Sequence, residues 1–103
     1  MNLSEVITTE ILKEFKGQYV KESGLGVESD EVFKQMLETA YVYIKERTGD
    51  FDINEEPTGK QLVFDRARYV RANASELFYE NFLADMNGFS LMLAQKREQA
   101  DDA

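Results

Sequence analysis

Residues 60–82 read KQLVFDRARYVRANASELFYENF, and how this stretch is read decides the fold. Val63, Ala67, Val70, Ala74 and Leu77 recur at the three- and four-residue spacing of one helix face. Just upstream stands Pro57, the chain's single proline, and Thr58 followed by Gln61 forms a capping-box pattern. The pattern predicts one long helix over about 58–85, roughly 40 Å at 1.5 Å per residue. Such a helix is longer than a chain of 103 residues needs to enclose a single core. It is expected to project or to pack against neighbouring copies.

The same stretch is basic within an acidic protein. Residues 60–71 carry Lys60, Arg66, Arg68 and Arg71 against Asp65, a net of +3, while residues 1–59 carry −7 and residues 72–103 carry −4. On a helix Lys60, Arg68 and Arg71 fall within about 80° of one another, with Arg66 across the apolar stripe. Charge segregated in this way suits self-association, one copy's basic face meeting another's acidic face. Two readings stay open. In one, the cations contact adjacent subunits or line a passage for DNA; in the other, they pair within the chain with Asp65 and the acids of 50–56. Aromatic groups widen the first reading. Phe64, Tyr69, Phe78, Tyr79 and Phe82 stand outside the main stripe, more than one small core is expected to cover, and Tyr and Phe are enriched at interfaces.

Working outward, the segment before this helix predicts a second one, about Asp30–Thr48. Ser29 or Asp30 caps its start, Phe33, Met36 or Leu37, Ala40 and Ile44 form its apolar stripe, and Gly49 follows as a terminator. The acidic connection 50–57 alternates Phe51 and Ile53, which are expected to pin it to the core. A further helix lies within residues 4–16, with Ile7, Ile11 and Phe15 at four-residue spacing, Leu12 beside them and either Ser4 or Thr8 as cap. Gly17 is expected to loosen or end it, and Gly24 and Gly26 mark a loop. After the long helix, Asn87–Gly88 reads as a break before a short helix, 89–96, and residues 97–103 as a flexible tail. The fold class is therefore all-α, a single-domain bundle of about four helices.

Composition narrows the chemistry. The chain has no histidine and no cysteine, which removes the commonest general base, metal ligand and activated nucleophile. The Asp50–Asp52 and Glu55–Glu56 pairs lack the glycine and terminal glutamate of a calcium loop. Catalytic residues, cofactor sites and metal sites are all expected to be absent, and the protein is not expected to be an enzyme. A net charge of −8 repels phosphates on average, so sequence-specific DNA binding is not expected. Residues 1–20 lack the apolar core of a signal peptide. No apolar run reaches the roughly 18 residues of a membrane span.

Three segments carry a family resemblance. ETAYVYIKERTGDFD (38–52) is similar to a family helix with an A-x-x-Y-I pattern ending in T-G. LVFDRARYVRANASELFYENF (62–82) resembles the helix that follows it, with R-x-R-Y-x-x-x-N before an aromatic end. GFSLMLA (88–94) resembles a closing short helix. The family is the head–tail connector, or head-completion adaptor, of tailed bacteriophages, and the resemblance covers about residues 30–95. It implies a small all-α structural virion protein, made in the host cytoplasm and sited at the head–tail interface. Copies of it form a ring of about twelve subunits. The ring docks under the portal protein, extends the DNA channel and presents a surface to the next connector or stopper protein. DNA passes through it without sequence-specific binding, and no membrane is involved. Lys60, Arg66, Arg68, Arg71, Tyr69, Phe78 and Phe82 are then expected at the subunit interface, and Phe89, Leu91, Leu93, Lys96 and Arg97 at the portal. The alternative from a different class is a small acidic helical adaptor or regulator, antitoxin-like or anti-repressor-like, acting by protein–protein binding.

Overall fold

The computed structural model describes residues 6–21 and 27–102. Four helices make up the fold, α1 (Thr9–Tyr19), α2 (Asp30–Thr48), α3 (Pro57–Arg71) and α4 (Ser75–Asp102), and no strand occurs among the described residues. The all-α bundle expected from sequence is thus the architecture, one long helix included. That long helix lies elsewhere, however: it is α4, of 28 residues, and not 58–85.

The break falls at residues 72–74. Asn73 takes a left-handed conformation, φ 58°. Its N–H donates to the Val70 carbonyl at 3.0 Å, and the Ala74 N–H donates to the Tyr69 carbonyl at 2.8 Å. These two bonds are the Schellman pattern, with Asn73 in the place usually held by glycine. They satisfy the last carbonyls of α3 and turn the chain back. Beyond the turn the buried face changes register, from Leu62, Val63, Phe64 and Ala67 of α3 to Phe78, Phe82, Met86, Phe89 and Leu93. Within this second set Phe78, Met86, Phe89 and Leu93 are buried and Phe82 packs against the core. The stripe runs straight through Asn87–Gly88. No break occurs there, because Met86 and Phe89 hold the helix on the core while a Cβ on Gly88 would meet nothing within 4 Å. The helix likewise continues through residues 97–102.

α1 and α2 begin as their caps dictate. Thr8 Oγ1 accepts from the Ile11 N–H at 3.3 Å and Ser29 Oγ from the Val32 N–H at 3.3 Å. Thr8 therefore settles the choice for α1 within the described residues; Ser4, the other candidate, and the Gly24–Gly26 loop lie outside them. Gly17 does not stop α1, which runs on to Tyr19. α2 ends at Gly49, whose φ of 109° suits glycine. α3 has no side-chain cap, and the expected Thr58–Gln61 box does not form. Pro57, with φ preset and no N–H to satisfy, occupies the first helical turn one residue earlier.

The core forms around three aromatic groups. Phe15 of α1 meets Phe33 of α2 and Phe64 of α3, at centroid distances of 6.1 and 5.5 Å. Phe78 of α4 sits between Tyr43 and Tyr69, at 5.7 and 5.6 Å. Phe51, from the turn after α2, packs edge-on against Phe89 at 5.0 Å. Phe51 and Ile53 are buried, so the acidic turn is pinned as expected. Gly59 is obligatory here: a Cβ on it would lie 2.4 Å from Phe51 and 2.7 Å from Phe89. α3 and α4 run antiparallel, since Tyr69 meets Phe78 at one end and Glu56 meets Lys96 at the other, 2.9 Å apart. The molecule is a plate of 53 × 33 × 20 Å.

Candidate interaction surface

Most of the basic stretch is consumed inside the subunit. Lys60 reaches across to Glu14 of α1 at 2.9 Å. Arg68 pairs with Asp65 one turn earlier on α3, at 2.9 Å. Arg71 clamps Glu28 with two bonds, Nε at 2.9 Å and Nη2 at 3.1 Å. Hydrogen bonding to that guanidinium holds the Glu28 carboxyl below its ordinary range. Lys60, Arg68 and Arg71 therefore tie α3 to α1, to itself and to the segment before α2. Asp65 was foreseen as a partner, together with the acids of 50–56; Glu14 and Glu28 were not, because nothing in a sequence shows which distant acid a cation will meet.

Arg66 differs. Its Nη1 donates to the Ser75 carbonyl at 3.2 Å, and its guanidinium lies 3.7 Å from the centre of the Tyr43 ring. Arg47 stacks on the same ring at 3.5 Å, donates from Nη1 to the Tyr43 carbonyl at 3.1 Å and lies 3.8 Å from its sequence neighbour Glu46. Among the described residues no carboxylate pairs with Arg66. Burial draws its pKa down, and the charge of Arg47 pulls in the same direction. Two guanidiniums thus share one tyrosine in a protein of net charge −8, and Arg66 is the one of the two without a carboxylate among the described residues.

Arg66 and Tyr43 border a groove of about 340 Å³ between α2 and α3, lined also by Val32, Met36 and Val70 among others. Val32 and Val70 are 44% and 41% exposed, large enough to ask what covers them. A second apolar feature lies on α4, on the side turned away from the core. Leu77, Leu83 and Leu91 are exposed there, Leu91 to 64%, and Tyr79 stands on the flank. Glu76 and Glu80 lie among them, both exposed and with no ion pair among the described residues.

The residues expected at subunit contacts divide accordingly. Phe78 is wholly buried and offers no surface to a neighbour, and Tyr69 and Phe82 are packed partly against the core. Of the residues expected at the portal, Phe89 and Leu93 are core while Leu91 is exposed. Lys96 pairs with Glu56, and Arg97 lies over Gly49, 3.2 Å from where a Cβ would stand. Phe78 had been assigned outward because the register of α3 was carried past its end, and the turn at Asn73 rotates it inward; Phe89 and Leu93 had been placed at the portal by the family resemblance, and the unbroken stripe of α4 buries them instead. Val32, Val42 and Leu83, exposed apolar residues, had no role in the sequence reading. The available signal was their position off the buried stripes.

Among the described residues no three carboxylates converge on a metal-sized space, no buried side-chain polar atom lacks a hydrogen-bond partner, and no helix is long and apolar enough to cross a membrane. The features that the described residues build are the α2–α3 groove and the outer face of α4. Comparison with protein-family models, curated proteins and solved structures finds no match to this chain.

Proposed function

We propose that this chain is a structural virion protein, the repeating subunit of a ring-shaped head–tail connector. The ring docks beneath the portal, extends the DNA channel and carries the next connector or stopper protein. The observation that supports it most is the outer face of α4, where Leu77, Leu83 and Leu91 remain exposed along one helix. Single exposed apolar residues are ordinary, but several along one helix face mark a contact surface. The plate-like shape is consistent with subunits standing side by side around a channel. A strong negative charge favours passage of DNA without sticking, because phosphates are repelled.

Electron microscopy of the protein mixed with the portal of its own phage tests this. Rings stacked on the portal, with density for one helical plate per repeat, are expected. A protein that stays apart from portal particles would leave the reading without support. It would favour the regulatory alternative, a small acidic adaptor acting by binding one protein partner.

A further inference from the structure

The α2–α3 groove and the outer stripe of α4 complement each other in chemistry. The groove offers Val32, Met36 and Val70 beside Arg66, a guanidinium without a carboxylate partner among the described residues. The stripe offers Leu77 and Leu83 beside Glu76 and Glu80, carboxylates without a cation among the described residues. A buried or half-buried guanidinium gains most from a carboxylate when apolar neighbours exclude water.

A subunit cannot join the two by itself. The stripe lies on the side of α4 opposite Phe78, Met86, Phe89 and Leu93, which pack on α2 and α3, so it points away from its own groove. We propose that the groove of one copy receives the α4 stripe of a second copy, with Arg66 meeting Glu76 and Glu80. Two different surfaces joined in this way make a head-to-tail contact, which leaves a free groove at one end and a free stripe at the other. Repetition then builds a closed ring or an open filament. The inference deepens the connector reading and rests on it for closure into a ring.

The absence of cysteine from the whole sequence makes the test clean. A Val70→Cys variant and a Leu83→Cys variant are purified in full length, concentrated, oxidised separately and oxidised as a mixture. Val32→Cys with Leu77→Cys forms a second mixture. A disulfide-linked dimer is expected in a mixture and not in the separate samples. One chain carrying both Val70→Cys and Leu83→Cys is expected to give a ladder of linked oligomers. Glu80→Arg, at an exposed position that folding does not need, is expected to abolish the mixed product, and Arg66→Glu added to it to restore the product.

Linkage of a variant to itself, or no linkage in either mixture, overturns the pairing. Rings on the portal without mixed linkage overturn the pairing and leave the connector reading standing. Mixed linkage in a protein that ignores the portal sustains the pairing and sinks the connector reading.

Discussion

Tyr41 secures the acidic turn after α2 through its hydroxyl, which donates to the Phe51 carbonyl, while its ring packs edge-on against Phe51 at 5.2 Å. Burial, with Asp52 and Asp50 nearby, raises its pKa above the ordinary tyrosine value. The sign follows directly. A raised folded value means the native state holds the proton more tightly, so the contribution is complete below about pH 10 and is lost as pH climbs through the folded value. Tyr41→Phe should cost roughly 1 kcal/mol at neutral pH through the lost hydrogen bond, and should flatten the alkaline fall in stability. Urea midpoints across the alkaline range check this; a variant with an unchanged alkaline slope would assign the fall to other groups. Phe51 and Ile53 were legible as anchors of this turn because they alternate within an otherwise acidic run. The hydroxyl's destination was not, since any backbone carbonyl within reach would have served.

At the scale of the helices, the turn at Asn73 is the feature that sequence periodicity misses. The stripe Val63–Ala67–Val70–Ala74–Leu77 continues smoothly through it, and alanine on either side is helix-favouring. The competing signals were an asparagine, which tolerates the left-handed region, followed by Ser75 with Glu76 after it. The second stripe, Phe78–Phe82–Met86–Phe89–Leu93, was equally visible. It spans Asn87–Gly88 without interruption, and five apolar anchors outweigh one glycine costing about 1 kcal/mol. Asn73→Ala should destabilise by about 1–2 kcal/mol, the cost of a left-handed residue without asparagine's local hydrogen bonding. Asn73→Gly should be neutral or better. Thermal unfolding of both variants decides it, and an alanine variant as stable as the parent would argue against the left-handed turn. Gly88→Ala should stabilise by up to ~1 kcal/mol, because an added methyl there meets open space; a lowered midpoint would mean that the helix bends at that point.

Across the whole molecule, α1 is held by contacts remote in sequence, Lys60–Glu14 among them, whereas α3 and α4 are joined by a three-residue turn and meet at once. The all-α class and the places of α1 and α2 were legible because caps and stripes are local, whereas the count of four agreed only because a break expected at 87–88 stood in for the one at 72–74. The assembly of the helices was not legible, because aromatic contacts such as Phe15–Phe64 and the destinations of the cations depend on distant partners. The short Asn73 turn carries a kinetic consequence. Tyr69 meets Phe78 and Phe82 across loops of about ten residues, whose closure costs far less entropy than bringing α1 to α3. The α3–α4 hairpin should therefore be the nucleus on which the rest condenses. Phe82→Leu should slow refolding with little change in unfolding, while Ile11→Val in α1 should speed unfolding and leave refolding nearly untouched. Stopped-flow chevrons of the two variants measure this, and the reverse assignment would place the first contacts in α1. A chain that folds from its far half leaves α1 undocked until last, so the apolar face of α1 is the one that stays open to solvent longest.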